Sequence, residues 1–262
     1  MIMLKAIVLG IVEGITEFLP ISSTGHLIVA SAVLKYPGTA RQTFEIFIQL
    51  GAIWAVIWHY SGPLSDLLRR ARTDAGARSL IGKVFVAFVP AAVAGLLCHR
   101  LIEEHLFSPI VVAVSLMVGG LLIILVERQE WRFHVHTIEA AGWRHAAWVG
   151  AAQVLSLVPG VSRAAATIIG GMVVGMDRPA STQFSFYLSI PTMFAASLYS
   201  LFKARHLLAA SNILSLGIGF MTAFLSALIV VRALIVFVQR HTFTGFGYYR
   251  LAAGAAILLL LG

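Results

Sequence analysis

The stretch Pro20-Ile21-Ser22-Ser23-Thr24-Gly25-His26 separates two short apolar helical patterns within residues 2–34. A second break, Pro159-Gly160-Val161-Ser162-Arg163, divides residues 144–175 in the same way. Six other stretches, 43–60, 80–98, 108–127, 183–202, 213–238 and 246–262, are apolar along their length. Each is about long enough to cross a hydrocarbon core of roughly 30 Å. Non-helical backbone at that depth survives only where protein buries it or where it lines a wet cavity. The two broken regions therefore read as re-entrant helical hairpins, and the six unbroken ones as transmembrane helices. The expected fold class is an all-α polytopic membrane protein.

Composition points the same way. The 262 residues are 59% hydrophobic and 11% charged, where a soluble domain carries about 25% charge. Mean hydropathy is +0.91. A soluble enzyme, a nucleic-acid binder and a disordered scaffold are excluded. The net charge of +8 comes from Lys and Arg gathered in loops between apolar runs, as in membrane proteins. Cys98 is the single cysteine and lies in an apolar run, so no internal disulfide and no Cys-rich metal site is expected. Lys5 followed by Ala6-Ile7-Val8-Leu9 resembles the start of a signal peptide. Glu13 and Glu17 then interrupt the apolar core and no small-x-small site follows, so these residues are expected in the mature protein.

The halves resemble each other. Pro20 and Ser23 match Pro159 and Ser162 at an offset of 139, and Phe44, Ile48 and Leu50 match Phe184, Leu188 and Ile190 at an offset of 140. One integral membrane domain over 1–262 would then hold two repeats, 1–127 with hairpin 2–34 and 144–262 with hairpin 144–175. Three spans per repeat is odd, so the second repeat enters from the opposite side. Such an inverted-topology repeat puts a site near the midplane, where the broken elements meet. With the N-terminus on side X, loops 61–79, 128–143, 176–182 and 239–245 fall on side Y. Side Y collects Arg69, Arg70, Arg72, Arg78, Arg128, Arg132, Arg178 and Arg240, against Lys35, Arg41, Arg100, Lys203 and Arg205 on side X. The excess makes Y cytoplasmic, with both termini and the first hairpin facing outward.

The breaks carry the chemistry. Glu13 and Glu17, four apart, lie on one helical face. Adjacent carboxylates in an apolar segment repel, so they bind a cation or share a proton, and oxygen ligands suit Mg²⁺ or Ca²⁺. Ser22, Ser23 and Thr24 can cap a new helix. His26, three residues after Ser23, could also make that serine half of a nucleophile–base pair. Arg163 opens a helix containing Thr167, beside Ser162, which suits it to receive phosphate. Together the breaks offer two carboxylates, a Ser–His pair, an arginine and two helix N-termini. That set suits phosphate-ester or anhydride chemistry.

Here a resemblance becomes specific. The run from Glu13 through His26 to Leu27 resembles the first signature of the bacterial undecaprenyl-diphosphate phosphatase (bacitracin-resistance) family. Pro159-Gly160-Val161-Ser162-Arg163 with Thr167 is similar to the second, and Phe184-Ser185-Phe186 with Pro191 to a following segment. Ala164 departs from the pattern, which has a second serine after the arginine. The resemblance implies hydrolysis of the C55 prenyl diphosphate to its monophosphate, recycling the lipid carrier of cell-wall synthesis and conferring bacitracin resistance. It further implies a divalent cation and a site open to the outer face of the bacterial inner membrane. By motif position, Glu13 and Glu17 match the acidic pair linked to metal and diphosphate, Ser23 the nucleophile and His26 the acid/base. Arg163 matches the diphosphate ligand, and Ser22, Thr24, Ser162 and Thr167 supporting polar positions. Expected partners are the polyprenyl diphosphate substrate and membrane lipids, not nucleic acid, and a homodimer is left open. Two rivals stand beside this reading. A lipid-carrier flippase would also use inverted repeats with broken helices, but has no need of a Ser–His pair. A type 2 phosphatidic acid phosphatase would need a histidine soon after Ser162-Arg163, and none follows until His206. Direct attack by water, with Ser23 only positioning it, stays open.

Overall fold

The computed structural model describes residues 2–36, 38–203 and 213–261. Arg205, counted among the outer-side charges, lies outside them. The first broken region forms α1 (Ile2–Thr16) and α2 (Ser23–Val33). Next come α3 (Gly38–His59), α4 (Ser61–Arg70), α5 (Ala75–His105) and α6 (Pro109–Arg128). The second broken region forms α7 (Trp143–Val154), a 3-10 turn at Leu155–Leu157, and α8 (Arg163–Val173). The chain ends with α9 (Arg178–Lys203), α10 (Ile213–Phe237) and α11 (Thr244–Leu261). Among the described residues the β structure is one isolated bridge, Val135 to Met176.

Helix starts follow local chemistry. Ser108 accepts a hydrogen bond from Val111 N at 3.2 Å and Pro109 opens α6, where a missing N–H costs nothing. Asp74 caps α5 by accepting from Gly76 N at 2.8 Å. The Ala75–Cys98 part of α5, with α6, α9 and α10, is long and apolar enough to cross a membrane. The apolar parts of α3 and α11, Thr43–His59 and Thr244–Leu260, are shorter, at the low end of the roughly 17–25 residues that suffice. These six coincide with the six expected spans.

Burial is inverted relative to a soluble protein. Phe85, Leu97, Val118, Leu122, Ile229 and Leu259 are exposed, while Glu13, Glu17, Gln153, Ser185 and Arg250 are buried. Only a lipid solvent makes that arrangement favourable, because apolar faces need no cover there and polar groups must find partners inside. The chain is a multi-pass, all-α membrane protein.

One element lies inside an expected loop. Residues 61–70 form α4, with Leu67 buried, Leu64 against the core, and Arg70 Nε 2.9 Å from Asp66 Oδ2 on the polar side. Such a short amphipathic turn leaves no hydropathy signal of its own. Both short inner helices reach α6: α2 and α8 each pack against it. The second break comes so close that a Cβ on Gly160 would sit 2.5 Å from Val112 O, and its φ is +95°, so only glycine fits.

Candidate active site

Each break turns on a serine with positive φ. Ser22 has φ 69° and Ser162 φ 73°, and each immediately precedes a helix, α2 and α8. L-residues rarely hold that conformation, so the surrounding packing must impose it. Ser162 meets part of the cost by capping: its Oγ accepts from Ala165 N at 3.2 Å. Ser22 makes no side-chain cap, so the first N–H groups of α2 remain available to a ligand.

A polar cavity of about 160 Å³ lies between the turns, lined by Glu17, Ser22, Ser23, Thr24, Gln49, Ser156 and the 159–163 break. Glu17 is its centre. The Ser23 hydroxyl donates to Glu17 Oε2 at 2.6 Å, and Arg163 Nη2 donates to Glu17 Oε1 at 3.1 Å. Arg163 Nη1 also donates to the carbonyl and hydroxyl of Ser185, each at 3.3 Å, and its guanidinium lies 5.6 Å from the Phe18 ring centroid. Its Nε is buried without a hydrogen-bond partner, which leaves a donor for an anion. Thr167 is fully buried behind it, 2.6 Å from Ser185 Oγ and donating back to Arg163 O at 2.9 Å. It supports the arginine rather than lining the cavity.

The expected Ser–His pair is not formed. His26 Nδ1 lies 2.7 Å from Ser22 O and Nε2 lies 2.6 Å from the Tyr249 hydroxyl, with the two rings stacked. The carbonyl requires the proton on Nδ1, so the neutral ring accepts from Tyr249. Both ring nitrogens are engaged away from Ser23, whose proton faces Glu17 instead. Spacing along α2 cannot reveal this, since the carboxylate arrives across the irregular turn 17–22.

A larger cavity of about 620 Å³ shares Ser23, Thr24 and Gln49 with the first and contains Glu13, Arg41 and Glu45. Glu13 is 2% exposed and its Oε2 has no hydrogen-bond partner, whereas both Glu17 oxygens are occupied. The two glutamates are therefore unequal, one already in an ion pair and one with an oxygen to spare. Among the described residues no three His, Cys, Asp or Glu side chains cluster as a metal site. A third cavity, nearly all apolar, runs between α1, α2 and α11 from His26 and Tyr249 along Val29, Ala253 and Ala256.

Gln49, Ser156, Tyr249 and Arg250 drew no notice in the sequence, and Ser185 entered only within the Phe184-Ser185-Phe186 segment, without a role. Arg250, like Glu13, is an ionisable group inside an apolar segment, which is a signal for a functional or structural role.

Comparison with known proteins matches residues 6–256 to the family described as bacitracin resistance protein BacA. An undecaprenyl-diphosphatase of Nitrosomonas europaea is 46% identical over 259 residues, 99% of this chain and 94% of that protein. Undecaprenyl-diphosphatase 2 of Rhodospirillum rubrum is 47% identical over 98% of this chain and 94% of its own length. An undecaprenyl-diphosphatase of Thermoanaerobacter pseudethanolicus is 44% identical over 99% and 97%. With nearly its whole length matched, this chain belongs to the bacitracin resistance protein BacA family.

Proposed function

We propose that this protein hydrolyses undecaprenyl diphosphate to undecaprenyl phosphate and inorganic phosphate, recycling the lipid carrier and conferring bacitracin resistance. The observation that carries the reading is the Ser23–Glu17–Arg163 chain in a polar cavity closed by two helix N-termini. In the first step Ser23 Oγ bonds to the terminal phosphorus, its proton passes to Glu17, and the bond to the bridging oxygen breaks. Undecaprenyl phosphate leaves, and water then cleaves the phosphoserine to inorganic phosphate. Arg163 and the free N–H groups of α2 neutralise charge on the phosphoryl oxygens. His26 moves from acid/base on Ser23 to a buttress between Ser22 and Tyr249.

A divalent cation belongs to the reading. The unpartnered oxygen of buried Glu13 fits one, with Glu45 lining the same cavity, while Glu17 would contribute less because Arg163 and Ser23 occupy it. Bound there, the cation would offset the negative charge of the diphosphate. The apolar cavity beyond His26 would seat the prenyl chain past its first isoprene units.

The inverted repeat and the outward site are also part of the proposal. Exchange of α1 with α7, α3 with α9 and α5 with α10 maps the α1–α10 packing onto α7–α5 and the α3–α10 packing onto α9–α5, as such a repeat requires. The larger cavity is lined by Arg41, Ile102 and Ser200, near the ends of their helices assigned to side X, and by Phe107 in the connection between α5 and α6 on the same side. The inner membrane is the proposed location. The test is phosphate release from detergent-purified protein given undecaprenyl diphosphate, with and without chelator. No release by the cation-replete protein would overturn the reading.

A further inference from the structure

Arg250, in the first turns of α11, is fully buried, and among the described residues no carboxylate pairs with it. All five of its N–H donors are matched by backbone carbonyls. Nε donates to Leu116 O at 3.1 Å. Nη1 donates to Pro20 O at 3.0 Å and Val161 O at 2.9 Å. Nη2 donates to Ser115 O at 3.2 Å and Gly160 O at 3.0 Å. Three of the five acceptors belong to the two breaks, one to the first and two to the second, and the other two to α6. Room for the side chain comes from Gly119, where a Cβ would collide with Nη2.

A buried charge without a counter-ion is costly, and carbonyl dipoles from three separate segments compensate it only if all of them hold their places. The breaks have the matching need. Ser22 and Ser162 keep positive φ only if something over-determines their turns, and the gripped carbonyls of Pro20, Gly160 and Val161 lie within two residues of those serines. Each carbonyl held from behind fixes the peptide plane leading into α2 or α8. A guanidinium suits this task because its five donors are set in one plane, while an ammonium has three on a flexible stem.

We propose that Arg250 is a positioning residue that locks the two re-entrant turns to each other and to α6, and so sets the spacing of the helix N-termini that receive the diphosphate. The proposal rests on the phosphatase reading and deepens it. Arg250 does not itself line the cavity and acts through the turns it grips, Gly160 among them.

The test compares Arg250→Lys and Gly119→Ala, which would push the guanidinium off its carbonyls, with Leu234→Ala, a buried core truncation on α10. All are purified in detergent at full length and assayed below their thermal transitions, with inorganic pyrophosphate as competitor. Leu234→Ala should lower the Tm but keep kcat and the pyrophosphate inhibition constant within about threefold of wild type. Arg250→Lys should lose at least about 50-fold in kcat and weaken pyrophosphate inhibition about tenfold or more, since preorganised donors dominate such catalysis. Gly119→Ala should follow the same pattern more mildly. If a folded Arg250→Lys or Gly119→Ala protein behaves like Leu234→Ala in both constants, the proposal is overturned. It also falls if neither variant can be obtained folded, for Arg250 would then be a determinant of the fold alone. Absence of phosphate release by the wild type would instead remove the phosphatase reading, and this proposal with it.

Discussion

Glu17 spends one oxygen on Arg163 and the other on Ser23, whereas Glu13, one helical turn earlier, keeps an oxygen free. The same substitution should therefore act differently at the two positions. Glu17→Gln removes the proton acceptor for Ser23 and the charge opposite Arg163, so kcat should fall about 100-fold or more even at saturating cation. Glu13→Gln should instead raise the Mg²⁺ or Ca²⁺ concentration needed for half-maximal turnover, with most of kcat regained at high cation. Cation titration of phosphate release for wild type and both variants checks this. An identical shift in both would restore the two glutamates as an equal ligand pair. Ser23→Ala should abolish turnover at any cation concentration, since neither cation nor base replaces a nucleophile. Substantial residual activity would make water the attacking group. Both glutamates were legible in the sequence, because a carboxylate in an apolar segment has few reasons to be there. Their inequality was not, since it depends on which side chain crosses the turn at 17–22.

At the scale of the element, the positive-φ serines decide which substitutions the two turns tolerate. Alanine outperforms glycine inside helices, but at an N-cap glycine already ranks above alanine, and a positive φ widens that gap. At Ser162, with φ 73°, alanine loses the cap to Ala165 N and keeps the backbone strain, whereas glycine loses the cap but relieves the strain. Ser162→Gly should thus have the higher Tm, with Ser162→Ala lower by the equivalent of about 1 kcal/mol or more. Thermal unfolding in detergent decides it, and alanine at or above glycine would show that the turn stores no strain. The apolar cavity along α11 gives a second expectation. Ala253→Phe fills part of it, so KM for undecaprenyl diphosphate should rise several-fold while a short-chain prenyl diphosphate is turned over as before. Equal effects on both chain lengths would place the prenyl chain elsewhere. The breaks themselves were readable from Pro20, Pro159 and the hydroxyls after them. Helix α4 was not, because Leu64 and Leu67 fix only one face of a short, mostly polar segment.

For the whole molecule, the spans were legible because hydropathy and length suffice to mark them, but how the loops meet was not. Glu127 at the end of α6 accepts from Phe243 N at 2.7 Å and from Arg178 Nε at 2.9 Å, joining the end of α6 to the starts of α9 and α11. His136 Nδ1 lies 2.8 Å from Asp177 Oδ2, which joins loop 128–143 to loop 176–182. Three of the four loops assigned to side Y thus converge on one cluster, which no count of charges could foresee. Lys5 Nζ donates to Lys35 O at 3.0 Å, bringing the start of α1 and the end of α2 together, both assigned to the opposite side. On the proposed repeat, sidedness reduces to one binary choice, which face is cytoplasmic, and the proposal takes side Y from its arginine excess. Two of those arginines, Arg69 and Arg70, lie in the last turn of helix α4 beside a buried Leu67, a placement that suits a helix lying on an anionic inner leaflet. A topology reporter fused after the C-terminus should accordingly report the outer side, and one inserted between α4 and α5 the cytoplasm. Opposite labels at both sites would invert the protein in the membrane and turn the diphosphate cavity inward. The same label at both would mean an even number of crossings between α4 and the C-terminus, which breaks the inverted repeat whatever the orientation.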